Sequence, residues 1–168
     1  GLSGLGSISG GSSSTAGEGL LRSSDGGENW ENAALSKTKR VSFPARIFDL
    51  TFHPEDPNVI FIGSKTAGFW KSVDAGKSWE KIVDSGQILN PTADVYKIAI
   101  SRSSPKIIYL ALYQNNRGRV LKSEDGGESF REVYFVTADR FGVSDLYVNP
   151  GNADQVVIVT GQGGVLET

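Results

Sequence analysis

Among the residues able to do chemistry, the carboxylates show the most regular spacing. Asp25, Asp74 and Asp125 sit in Ser23-Ser24-Asp25-Gly26-Gly27-Glu28-Asn29-Trp30, Ser72-Val73-Asp74-Ala75-Gly76-Lys77-Ser78-Trp79 and Ser123-Glu124-Asp125-Gly126-Gly127-Glu128-Ser129-Phe130. Each stretch reads Ser-x-Asp-x-Gly-x-x-aromatic. Three such aspartates could serve as acid–base groups or calcium ligands. Each has a nearer task, because Ser and Asp side chains here bond to the backbone of a tight turn whose positive φ a glycine supplies. A structural role is therefore expected for Ser23, Asp25, Gly27, Trp30, Ser72, Asp74, Gly76, Trp79, Ser123, Asp125, Gly127 and Phe130. No catalytic residue, metal ligand or cofactor is assigned.

Other chemistry is sparse. Hydrolysis of a glycosidic bond needs two carboxylates flanking it, and outside the repeated stretches Asp84, Asp94 and Asp139 are the candidates. His53 is the single histidine; it aligns with Ser101 and Asn149 at a chain reversal and reads as a turn residue. Gly161-Gln162-Gly163-Gly164 imitates a phosphate loop. It lies between two expected strands, without the helix N-terminus that phosphate binding uses.

The repeated stretch sets the elements. Ser72 follows Ser23 by 49 residues and Ser123 follows Ser72 by 51, and such a period marks an array of supersecondary units. Before each turn comes a strand-like lead-in: 19–23, 68–72, 119–123 and, a fourth time, 164–168. After each turn a further strand is expected: 30–31, 79–83 and 130–136. Between turns, 48–52, 96–100 and 144–148 alternate with period two, while 59–62, 107–110 and 156–159 are nearly continuous in apolar residues, as strands covered on both faces are. Pro- and Asn/Asp-rich corners at 53–58, 101–106 and 149–155 separate these pairs. The expected fold is all-β: propeller blades of four antiparallel strands, about three and a half of them, an incomplete propeller or part of a larger one.

Of the 168 residues, 38% are apolar and 21% charged, and the net charge is −2, which gives no support for a nucleic-acid surface. No apolar run is long enough for a transmembrane helix. Cysteine is absent, so disulfides and thiolate metal sites are excluded. Seven glycines fall within residues 1–19; residues 1–18 are expected to form a Gly/Ser-rich tether and 19–168 the blades. Such a tether suggests a secreted or cell-surface bacterial protein with a lipid anchor upstream.

The three boxes, with Asn149-Pro150 through Val159-Thr160-Gly161 and then Val165-Leu166, resemble the Asp-box or BNR repeat families. The likeness extends to sortilin-like (VPS10-type) propellers and bacterial proteins with sortilin-like repeats. Similar repeats occur in sialidases, xyloglucan hydrolases and photosystem II assembly propellers. The resemblance implies that the boxes lie on the rim away from the ligand face. It also implies that ligands meet the opposite rim, where Arg40, Arg46, Lys65, Asn115, Arg117, Arg140 and Phe141 are expected. Phe43-Pro44-Ala45-Arg46-Ile47 departs from the Arg-Ile-Pro motif of sialidases, because the proline precedes the arginine.

Structural repeats without a catalytic set lead to the expectation of a non-catalytic interaction or scaffold module, bound to a protein partner or to remaining propeller blades. The alternative is a sialidase- or xyloglucanase-like glycoside hydrolase, with a glycan as ligand, whose catalytic residues lie largely outside this chain. A further alternative is an assembly factor gripping an acidic partner through Arg40, Arg46, Lys65 and Arg140.

Overall fold

The computed structural model describes residues 20–33, 46–137, 142–161 and 165–167. The expected tether, Arg40, Asp139, Arg140, Phe141 and Gln162 lie outside the described residues. Among the described residues there are strands and turns and no helix. In chain order the strands are β1 (Leu21–Arg22), β2 (Glu31–Asn32), β3 (Ile47–Phe52), β4 (Ile60–Ser64), β5 (Gly68–Ser72), β6 (Glu80–Lys81), β7 (Asp94–Ile100), β8 (Ile108–Gln114), β9 (Arg117–Ser123), β10 (Arg131–Phe135), β11 (Val143–Asn149), β12 (Asn152–Thr160) and β13 (Val165–Glu167).

They form four up-and-down antiparallel sheets in chain order: β1-β2, β3-β4-β5-β6, β7-β8-β9-β10 and β11-β12-β13. Neighbouring sheets pack face to face, with their first strands β3, β7 and β11 side by side. This is the blade arrangement that the repeat period implies, and every expected strand position is occupied.

Apolar alternation explains the packing. Phe61 and Phe69 of the second sheet stack with ring centroids 5.4 Å apart. They meet Ile98, Ile108, Leu110, Leu121 and Phe130 of the third. The next joint buries Tyr109, Ala111 and Val120 against Val143, Leu146, Val156 and Ile158. Gly63 allows the first of these approaches, since a Cβ there would lie 2.6 Å from the Val95 carbonyl oxygen. Charged groups also cross between sheets. Buried Lys122 on β9 pairs with Glu124 at 2.9 Å and with Asp154 on β12 at 3.1 Å, and lies over the Tyr109 ring.

All three boxes fold alike. In each, the Ser hydroxyl donates to the Asp carboxylate (2.7, 2.8 and 2.7 Å) and accepts the amide of the second glycine position (2.8, 2.9 and 2.9 Å). The same carboxylate accepts the amide four residues on, from Asn29, Ser78 and Ser129. The turns use left-handed φ at Gly26–Gly27, Ala75–Gly76 and Gly126–Gly127.

Among the described residues, the closing aromatic acts as an inter-sheet wedge in the second and third boxes. Trp79 is buried and its indole donates to the Ala33 carbonyl at 2.7 Å. Phe130 packs edge-on against Phe69. Trp30 is 62% exposed, and its indole turns back to Gly27 O at 3.0 Å.

Two rims result. Box turns bond to the corners between first and second strands, Ala75 N to Asn58 O and Gly126 N to Lys106 O. On the other rim the turns between second and third strands bond to the segments entering each sheet: Lys65 N to Arg46 O, Gly68 N to Ala93 O and Gly161 N to Gly142 O.

Candidate functional site

The rim opposite the boxes carries the functional candidates, and three β-bulges shape it. β3, β7 and β11 each slip register at their entry, between Ile47 and Asp49, Val95 and Lys97, and Val143 and Asp145. The extra residues are Phe48, Tyr96 and Ser144. A bulge leaves one residue outside the ladder and re-aims its side chain. Phe48 and Tyr96 meet across the sheet joint with ring centroids 4.9 Å apart.

Beside this pair, Asp94, Tyr96 and Tyr113 face Gly142, Val143, Ser144 and Gly161 across a recess of about 330 Å³. Asp94 and Tyr113 are cross-strand partners at the ends of β7 and β8. Asp94 Oδ1 accepts the Thr66 amide at 2.7 Å, and Thr66 holds a left-handed φ of 56° in the β4–β5 turn. Burial, followed by the charge of Asp94, interaction with Tyr113 and a hydrogen bond to Asp94, pushes the Tyr96 hydroxyl up. Chemically, the recess offers aromatic surface beside a carboxylate, phenolic hydroxyls and a serine. That combination suits a neutral polyhydroxylated ligand, whose C–H faces pack on rings and whose hydroxyls bond at the edges.

The described candidates lie along this rim. Arg46 and Lys65 are exposed on this rim, joined through Lys65 N to Arg46 O. Asn115 and Asn116, with φ of 51° and 59°, form the two-residue turn from β8 to β9. Arg117 follows, its guanidinium 5.6 Å from the centroid of the Phe135 ring. Lys65 precedes Thr66, whose amide Asp94 accepts, and the Asn115–Asn116 turn follows Tyr113 and Gln114 at the end of β8.

Asp84 is 4% exposed, and its carboxylate accepts the amides of Gly86, Ile88, Leu89 and Phe130 at 2.6–3.1 Å. It braces the β6–β7 connection against the third box, which withdraws it from the candidate reacting carboxylates. Gln114 braces the same connection, accepting from Asn90 N and donating to Ile88 O. His53 accepts the Glu55 amide on Nδ1 at 3.3 Å within its corner.

Sequence reasoning missed Phe48, Tyr96, Tyr113 and Asp49. Asp49 Oδ2 accepts Ile98 N from the neighbouring sheet at 2.8 Å. An unusual aromatic at the first position of two inner strands was the available signal, but no residue type marks a bulge.

The box carboxyls differ from the recess in that each is bonded to the backbone and side chains of its own turn. The Asn29 amide and the Ser23 hydroxyl hold the Asp25 carboxyl well below the usual range. The Ser129 hydroxyl and amide do the same at Asp125. At Asp74 burial works upward, but Ser78 and Ser72 outweigh it and lower the pKa to about 2.

No family model matches the chain. It is similar to the xyloglucanase Xgh74A of Acetivibrio thermocellus, 29% identical over 134 residues covering 68% of this chain and 16% of that protein. A xyloglucanase of a Paenibacillus species is 25% identical over 134 residues, covering 68% of the chain and 13% of the relative. The chain thus spans about a sixth or less of the length of these relatives. Among solved structures, an ancestral GH74 enzyme superposes with TM-score 0.68 at 21% identity, over 92% of this chain and 20% of that one. YCF48 from Cyanidioschyzon merolae gives 0.55 at 16% identity, over 74% and 35%. These likenesses establish a β-propeller blade fold.

The relatives also overturn the expectation of a non-catalytic scaffold, because the proteins matched in sequence are xyloglucanases. A missing carboxylate pair among the described residues is no mark of a scaffold when much longer xyloglucanases match this chain over 134 residues.

Proposed function

We propose that the chain is a propeller segment of a glycoside hydrolase acting on a xyloglucan-type β-glucan. The observation that carries this reading is the recess of Asp94, Tyr96 and Tyr113 on the rim opposite the boxes, considered beside the xyloglucanase relatives. Tyr96 and Tyr113 supply surface for sugar rings. Asp94 is either a hydroxyl acceptor or one of the two reacting carboxylates, the second lying about 5–10 Å across the bond. Asp84 cannot be that second group, since its oxygens are committed to four amides.

A polymeric glycan is too large to enter a cell intact, so the reading places the protein outside the cytoplasm. The hydrogen-bond pattern shared by the three turns supports assigning the blades to the Asp-box type.

Affinity electrophoresis in gels containing xyloglucan, with reducing-sugar release from the same polymer, tests the reading. Retardation and release are expected, with Asp94→Asn reducing release at least tenfold while the unfolding midpoint stays unchanged. Wild-type protein that neither binds nor cleaves the polymer overturns the function. Undiminished release by Asp94→Asn overturns the role of Asp94.

A further inference from the structure

The two joints between inner strands are not built alike. At the first, Asp49 Oδ2 of β3 accepts Ile98 N of β7 at 2.8 Å and Thr51 Oγ1 donates to Ile98 O at 3.4 Å. Lys97 and Ala99 hold those two places in β7, at the same ladder positions after the bulge. An ammonium accepts no hydrogen bond and a methyl donates none, so the same pair of bonds to Leu146 of β11 cannot form. Leu146 N is instead capped by the preceding side chain, Asp145 Oδ1 at 2.8 Å, and Lys97 turns back to Asp49 Oδ1 at 3.5 Å. Beside the unstapled joint lies a recess of about 530 Å³, with His53, Lys97, Ala99, Arg102, Leu146 and Tyr147 in its wall. It sits at the box-side ends of the inner strands, whereas the Asp94 recess opens at their other ends.

No carboxylate lines this recess. The two that adjoin it are engaged on both oxygens: Asp49 with Lys97 and Ile98 N, Asp145 with Leu146 N and the Tyr147 hydroxyl at 2.6 Å. Arg102 is exposed and bonds to no carboxylate among the described residues. Its backbone is fixed by the corner, where buried Ser101 donates its amide to Ile107 O at 3.0 Å and accepts Ser104 N on its hydroxyl at 3.2 Å. His53 Nδ1 accepts the Glu55 amide, so the ring proton sits on Nε2 as a donor. Tyr147, tethered through its hydroxyl, is 55% exposed and keeps a ring face for packing. We propose that this recess is a second ligand site, taking a uronic acid. Arg102 and Lys97 bind the carboxylate, a charge-assisted pairing that a guanidinium makes through two parallel bonds. His53 Nε2 donates to a ring hydroxyl, and the C–H face of the sugar packs on Tyr147. The site stands apart from the xyloglucan reading, on the other rim and with a charged ligand.

The probes are sodium glucuronate and an oligogalacturonate, titrated into the 168-residue chain and followed by amide chemical shifts; comparing them separates a free sugar from an acidic glycan chain. Saturable shifts are expected at Ala99, Arg102, Leu146 and Tyr147 with at least one of the two, and none with glucose. Arg102→Ala and Lys97→Met are each expected to weaken binding about tenfold, and Arg102→Lys less. Lys97→Asp with Ala99→Thr copies the β3 pair onto β7, and should abolish binding by stapling Leu146 and raise the urea unfolding midpoint. Unchanged spectra of β8 and β9 show that the variants remain folded. Retardation by xyloglucan is unaltered in all of them, so loss of one activity is told apart from loss of the other. The proposal is overturned if neither uronate shifts these amides, or if glucose or sulfate shifts them as strongly. Binding that survives Arg102→Ala and the double substitution overturns it equally.

Discussion

Four backbone amides converge on the Asp84 carboxylate, so replacing one oxygen by an amide nitrogen would set a donor against donors inside the joint between two sheets. Asp84→Asn should therefore lower stability by about 2–4 kcal/mol, read from denaturant midpoints, while any loss of activity follows the unfolded fraction. The box aspartates give a pH effect of known sign. Their carboxyls have depressed folded-state pKa values, so the stabilisation is complete above the unfolded value of about 4 and is lost as pH falls toward the folded one. Thermal midpoints should drop between about pH 4 and pH 2, the window set by Asp74, and less steeply in Asp74→Asn. The second box also places Ala75 at φ 56° where the others have glycine. Ala75→Gly should gain about 0.5–1 kcal/mol by urea titration, relief of left-handed strain outweighing the added freedom of the unfolded chain. Residue types made the box legible in advance because Ser, Asp and Gly each have a distinct local task. They left Tyr96 and Asp94 unpaired on paper, since their proximity depends on a backbone irregularity with no compositional mark.

At the level of the strand and the turn, the same motif has two energetic values. Trp79 is enclosed by its own sheet and the preceding one, whereas Trp30 lies open. Trp79→Ala should cost about 3–5 kcal/mol and Trp30→Ala less than about 1 kcal/mol in this chain, compared by equilibrium unfolding. Alternation and turn composition located every strand, and β5 coincides with its expected span, Gly68–Ser72. The ends were harder. β8 runs to Gln114, beyond the expected end at Leu110: Ala111, Leu112 and Tyr113 continue the apolar run, and Gln114 is buried in the strand because it braces a neighbouring loop. β12 begins at Asn152 inside a segment whose Asn, Asp and Gln read as a turn. β6 is only Glu80–Lys81, shorter than the expected 79–83, since Asp84 draws the following chain into its own bonds.

Taken whole, the described residues form a row of sheets in which each touches only its neighbours, so local stability should depend on position in the row. Hydrogen exchange should be slowest in β8 and β9, whose sheet is covered on both faces, and fastest in β1 and β2; uniform protection would show that the row unfolds as one unit. The period announced such an array, but the function of a repeat lies in what its rims carry. One substitution pattern on this rim already exists. The inserted residue of each inner strand is Phe48, Tyr96 or Ser144, and ladder pairing resumes unaltered after all three. Because that position stands outside the backbone ladder, a new side chain there breaks no ladder bond, and at Ser144 it gives up only the hydroxyl's bond to Val159 O at 3.2 Å. The rim is in that sense a set of interchangeable keys on a fixed barrel, and Ser144→Tyr would cut a third aromatic key from the same blank.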